Sequence, residues 1–152
     1  MTTSDEIVAI ARGFLGVRFA HQGRCGKSGL DCLGLLFAVA SRAGITLRGR
    51  PALCHDRRDY GSRPDTDFLR AQLAYFLTPV AADGLRAGDV LLLNIRGRAQ
   101  HLALVADYPG EGEWGMIHAY AVARKVVEHR LDEVWRERIA GVYRLPGARS
   151  SS

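Results

Sequence analysis

The stretch GRCGKSGLDC, Gly23 to Cys32, holds residue types suited to three incompatible chemistries. Gly26-Lys27-Ser28 ends like a phosphate-binding loop, Cys25 and Cys32 could form a metal or disulfide pair, and Asp31-Cys32 suits a nucleophile opening a helix. A phosphate loop requires G-x-x-x-x-G-K-[ST] between a strand and a helix, but the residue five positions before Gly26 is His21. Nucleotide binding here is not expected. A structural zinc wants four Cys or His ligands in short-spaced pairs, and Cys25 and Cys32 stand seven residues apart. No metal and no other cofactor is expected.

The third chemistry places Cys32 in the first turn of a helix with Asp31 as its N-cap. Unpaired N–H groups and the positive end of the helix dipole favour a thiolate there. The alternative is a small buried hydrophobe, because Cys32 shares an apolar stripe with Leu35 and Leu36. A thiol nucleophile also needs a histidine base and a polar group that holds the base in one tautomer. Of the five histidines, His21, His55, His101, His118 and His129, two sit in strong strand contexts: His101 opens HLALVA and His118 ends GMIH. Adjacent strands would let His118 orient His101; the alternative for each is a satisfied core or edge histidine.

These residues must be held by elements that the pattern also shows. Thr3-x-x-Glu6 is a capping box, and Ile7, Ile10, Ala11 and Phe14 follow at helical spacing, so a first helix is expected from about Ser4 to Leu15. Gly16 to Leu30 carries four glycines and no periodicity, as a loop does. From Asp31 the chain is apolar nearly all round through Ala43, the mark of a buried helix, with Gly44 at its end. A basic connection leads to a third helix expected from about Asp65 to Leu77, with Leu69, Leu73 and Phe76 inward.

Strand signals then take over at Asp89–Asn94, Gln100–Ala106, Gly115–Ala119, Lys125–His129 and Ile139–Leu145, separated by Arg96-Gly97-Arg98, by Pro109-Gly110-Glu111-Gly112 and by shorter breaks. Helices first and an antiparallel meander second give an α+β domain. A chain of 152 residues fits one such domain, expected over residues 1–147, with residues 148–152 as a disordered tail.

Composition excludes other classes. With 47% hydrophobic and 24% charged residues, the chain is neither disordered nor membrane-spanning, and no window approaches the ~18 apolar residues of a transmembrane helix. Met1 to Glu6 lacks a basic region followed by an apolar run, so synthesis in the cytoplasm without a secretory signal is expected. The net charge of +5 is densest at Arg48, Arg50, Arg57, Arg58 and Arg63. It serves either as a solvated face or as attraction to a polyanion such as cell wall; a nucleic-acid partner is not expected. Three cysteines, Cys25, Cys32 and Cys54, argue against a disulfide framework and allow one reactive thiol. Cys25 and Cys54 read as structural or incidental.

Taken in order, GVRFAHQGR, GLDCLGLL, LRAGDVLLL, QHLALV and GMIHAY resemble the NlpC-type family of papain-like cell-wall cysteine peptidases, and the branch carried by phage tails and tail-like particles most. The resemblance implies Cys32 as nucleophile, His101 as general base and His118 as the residue that orients the base. It implies a nucleophile helix packed on an antiparallel sheet of about five strands. It also implies cleavage of peptidoglycan stem peptides, typically between D-isoglutamate and meso-diaminopimelate, by a particle-associated enzyme acting in the periplasm or wall. Asp31, Phe19, His21 and Gln22 are the substrate-binding candidates. Phe19 stands where the family entry P-Y-x-x-x-G has tyrosine, and Gln22 or a backbone N–H would supply the missing donor. Two other functions stay open: a different thiol amidase or acyltransferase, which would keep Cys32, His101 and His118 but release another product, and a tail-assembly or wall-binding module with an idle site.

Overall fold

The computed structural model describes residues 2–51, 66–108 and 113–150. Helix α1, Ser4–Arg12, begins with the capping box read from the sequence, Thr3 and Glu6 each capping the other's backbone N–H, and it ends three residues before the expected Leu15. The loop that follows contains a short hairpin of β1, Arg24–Cys25, and β2, Gly29–Leu30. Helix α2, Cys32–Arg42, has Asp31 as N-cap, and Gly44 takes a left-handed φ of 69° just beyond its end. A second small hairpin, β3, Thr46–Leu47, with β4, Arg50–Pro51, precedes α3, Thr66–Phe76, whose Leu69 and Leu73 are buried. Cys54, His55, Arg57, Arg58 and Arg63, and the turn at 109–112, lie outside the described residues.

Six strands form the main sheet, one more than expected: β5, Thr78–Val80; β6, Val90–Ile95; β7, Arg98–Asp107; β8, Trp114–Tyr120; β9, Lys125–Arg130; and β10, Ile139–Arg144. Their order is β5-β10-β6-β7-β8-β9, so β6 to β9 are a meander and β10 returns to the free edge of β6. The extra strand is the edge segment Thr78–Val80; it is short and carries Pro79, which hides it from a strand search. Arg96 and Gly97, both at positive φ, form the two-residue turn between β6 and β7. Short α4, Glu133–Glu137, also has no counterpart in the sequence reading and is capped by Asp132 on the Trp135 N–H.

The sheet is covered on both faces, which explains why VLLLNI and HLALVAD read as continuous apolar runs. Val90, Leu92, Leu102, Leu104 and Ile117 pack toward Ile7, Leu35, Val39, Leu69 and Leu73 of the helices. Leu91, Leu93, Ala103, Val105 and Met116 pack on the other face with Leu131, Trp135 and Ile139. Asp89, almost fully buried, grips Arg144 of β10 with both carboxylate oxygens at 2.8 and 2.9 Å and fixes the entrance of β6. At the far end Arg149, in the stretch expected as a tail, bridges Thr3.

Candidate active site

Cys32 is the first residue of α2, and the loop before it is tied to the helix through Asp31. Its Oδ1 accepts from the Gly34 N–H at 2.7 Å and from the Arg24 guanidinium at 2.9 Å, and its Oδ2 accepts from the Gln22 N–H at 3.0 Å. The Arg24 and Asp31 side chains are 5% and 7% exposed, so this ion pair is buried. The glycines of the loop are explained by contact: a Cβ on Gly34 would overlap the Gly23 carbonyl, and one on Gly23 would overlap the Gly29 carbonyl. The loop backbone therefore lies directly against the first turn of α2, as only glycine permits.

The histidines are placed by the sheet. A bulge in the β6–β7 ladder, where Leu93 pairs with His101 and Asn94 with Ala99, leaves Gln100 as the extra residue immediately before His101. Bulges re-aim the side chains next to them. His101 is thereby turned toward β8, and its Nε2 lies 2.7 Å from Nδ1 of His118. His118 is fully buried, and its Nε2 lies 2.8 Å from Nε2 of His129 on β9. His129 Nδ1 meets the Arg130 carbonyl at 2.9 Å. Trp135 of α4 packs on all three rings, with centroids 6.5, 5.1 and 5.5 Å away, and Tyr120 stacks on His118 at 4.9 Å.

Cys32 and His101 line one cleft of about 450 Å³, together with Phe19, His21, Asp31, Arg96, Gln100, Tyr120 and Arg138 among others. Its electrostatics differ from the expectation for a helix N-terminus. Burial, and then the Asp31 charge, push the Cys32 thiol up to about 12, against the backbone N–H groups of Leu102 and Leu33 that favour its thiolate. Burial pushes His101 down to about 4, and burial with the neighbouring His101 and His129 pushes His118 down to about 2. Both shifts favour the neutral forms of Cys32 and His101, desolvation outweighing the backbone donors at the start of the helix. Cys25, in contrast, is exposed, and backbone N–H groups of Lys27 and Ser28 lower its thiol.

The structure thus brings Cys32, His101 and His118 into one neighbourhood, with Phe19, His21 and Asp31 on the cleft wall. Gln22 sits in the loop before α2 at φ 57°, with its backbone N–H on the Asp31 carboxylate. Sequence reasoning passed over His129, Trp135, Arg96 and Arg138. His129 had a signal, since it ends a strand next to the one that bears His118; Arg138, which stacks on Trp135 at 4.6 Å, had none. Among the described residues no cluster of ligating side chains fits a metal ion.

Comparison with known proteins follows the same lines. A model of the NlpC/P60 family matches residues 16–144. Among solved structures, an NlpC/P60 family protein from Bacillus cereus aligns with 93% of this chain and 40% of its own at 25% identity and a TM-score of 0.65. The NlpC/P60 domain of the peptidoglycan hydrolase SagA aligns over 93% of this chain and 98% of its own at 22% identity and a TM-score of 0.58. The peptidoglycan hydrolase RipB from Mycobacterium tuberculosis aligns over 93% and 63% at 19% identity and a TM-score of 0.60. The chain spans about two fifths of the first of these structures. No curated protein sequence gives a significant match.

Proposed function

The chain belongs to the NlpC/P60 family, and on that premise we propose that it is a cysteine peptidase of cell-wall stem peptides, with Cys32 as nucleophile and His101 as general base. The observation that carries the proposal is the shared cleft of Cys32 and His101, with the far nitrogen of the His101 ring already engaged by His118. That engagement leaves Nδ1 of His101 for the thiol.

In this mechanism Cys32 Sγ attacks the scissile carbonyl carbon while its proton passes to His101 Nδ1. A resting thiol at about 12 and an imidazole at about 4 make this a transfer that accompanies attack, because a preformed ion pair is unfavourable. The Gly34 N–H is occupied by the Asp31 carboxylate, the Leu35 N–H by the Asp31 carbonyl and the Leu33 N–H is directed at the Cys32 sulfur, so the Cys32 N–H is the helix donor left for the oxyanion. Collapse breaks the C–N bond, and the leaving amine takes the proton from His101. Water then adds to the thioester with His101 again as base, which releases the carboxylate product and the thiol.

Arg96 and Arg138 on the cleft wall give it a positive edge suited to the carboxylates of a stem peptide. The bond between D-isoglutamate and meso-diaminopimelate is the substrate in this reading, and a phage tail or tail-like particle is the carrier, both resting on the resemblance of the segments that surround Cys32, His101 and His118. The test is incubation of diaminopimelate-type peptidoglycan with the protein beside Cys32→Ala, followed by mass analysis of the soluble fragments. New fragments ending at D-isoglutamate with wild type alone support the proposal. Stems left intact by both proteins contradict it.

A further inference from the structure

We infer that His129 is a positioning residue: its hydrogen bond to the Arg130 carbonyl sets the tautomer of His118 and, through His118, that of His101. The inference rests on the reading of Cys32 and His101 as nucleophile and base, and it extends that pair toward the β9 edge of the sheet by a ring to which no role has been given.

The chain of contacts fixes its own direction. A carbonyl oxygen only accepts, so the His129 Nδ1 that lies 2.9 Å from the Arg130 oxygen must carry a proton. A neutral imidazole has one donor and one acceptor, so His129 Nε2 accepts. His118 Nε2, 2.8 Å away, therefore donates, and His118 Nδ1 accepts. His101 Nε2, 2.7 Å from that acceptor, donates in turn, and His101 Nδ1 keeps its lone pair. With the opposite polarity Nδ1 of His101 would already hold a hydrogen and could take no proton from Cys32.

Two rings alone would not decide this, because a pair of imidazoles can hydrogen-bond with either polarity. The asymmetry enters with the backbone carbonyl of Arg130, which is held in place by the pairing of Arg130 with Gly115 on β8 and by the Leu131 N–H on the Trp114 carbonyl. Trp135 closes over the rings and keeps them from turning away. The same polarity serves the charged step: when His101 takes the thiol proton, its Nε2–H already points at an acceptor whose own donors run on to the carbonyl.

The test is two-bond ¹⁵N–¹H correlation on the full chain labelled with ¹⁵N-histidine at neutral pH, with assignment from the His129→Gln and His129→Phe variants. The expected pattern is protonated Nε2 on His101 and His118 and protonated Nδ1 on His129. His129 found with its proton on Nε2, or His101 with its proton on Nδ1, overturns the inference. In the variants, Gln keeps an acceptor toward His118 and a donor toward Arg130, whereas Phe keeps the ring against Trp135 but offers neither. His129→Phe is expected to mix the His101 tautomers and lower kcat/KM on a stem peptide about 10- to 100-fold through kcat, the cost found when a metal-ligating histidine loses the partner that orients it, with most activity recovered in His129→Gln. Wild-type kcat/KM in the Phe variant overturns the inference, and if that variant does not fold the wild-type tautomers decide. The predicted tautomers in a protein that cleaves no stem peptide would sink the peptidase reading and leave the polarity of the relay standing.

Discussion

His101 and His118 are joined ring to ring, Nε2 to Nδ1 at 2.7 Å, from neighbouring strands of one sheet. In the proposed mechanism this contact gives His118 its task, which is to accept the N–H of His101 and hold the other His101 nitrogen toward the thiol. His118→Phe removes the acceptor and is expected to cut kcat about 100-fold or more with KM little changed. His118→Asn keeps an acceptor and should retain more activity than Phe. Steady-state kinetics on a stem peptide checks both; equal activity in Phe and wild type would deny His118 any part in orienting the base.

Asp31 acts on stability and on the thiol at once. Its carboxylate neutralises the buried Arg24 and is also the second cause, after burial, of the raised Cys32 thiol. Asp31→Asn should lower stability by about 3 kcal/mol, because it leaves a guanidinium buried without its counter-charge, and should shift alkylation of Cys32 by iodoacetamide to lower pH. In the wild type at neutral pH, peptide mapping should find the exposed Cys25 modified ahead of Cys32. An unchanged alkylation profile in the variant would remove Asp31 from the electrostatics of the thiol.

Gly34, two residues after Cys32, is required by contact. A Cβ at Gly34 overlaps the Gly23 carbonyl and comes 3.2 Å from Asp31 Oδ1, so Gly34→Ala should push the loop off the helix, cost about 1–3 kcal/mol or more and abolish activity. Gly26→Ala is the control, since its Cβ meets only the Phe14 ring at 3.8 Å and beyond. Chemical denaturation should place Gly26→Ala within about 0.5 kcal/mol of wild type.

Acid should unfold this protein through its histidines. His101 falls from an ordinary 6.5 to about 4 in the folded state, so between those values the unfolded chain binds the extra proton. Its stabilising contribution is complete above pH 6.5 and is lost as the pH falls toward 4, on the order of 3 kcal/mol, with the lowered His118 acting in the same direction. Urea midpoints should drop from pH 7 to pH 4.5 in wild type and drop less in His101→Gln. Equal slopes in the two proteins would show that burial of this ring is not what makes folding sensitive to acid.

The elements that carry the site were legible because local chemistry announced them. The Thr3 and Glu6 capping box, Asp31 before an apolar helix and the runs VLLLNI and HLALVAD all gave boundaries within a few residues of the observed ones. The edge strand Thr78–Val80 and the five-residue α4 are too short to show a period, and α4 supplies the Trp135 that covers the histidines. His129 was discounted because its neighbours are polar, yet its position on β9 beside β8 puts it within reach of His118. The thiol differs from expectation for another reason: the helix end and Asp31 are visible in sequence, but how far packing takes Cys32 out of water is a tertiary fact.

The central claim is that Cys32 becomes acylated during turnover. Rapid acid quench of the protein with a stem peptide, followed by intact-mass measurement and peptide mapping, should show the acyl fragment on the Cys32 peptide of wild type and nothing on Cys32→Ala. Product released by Cys32→Ala at the wild-type rate, with no adduct on the wild-type enzyme, would contradict the account.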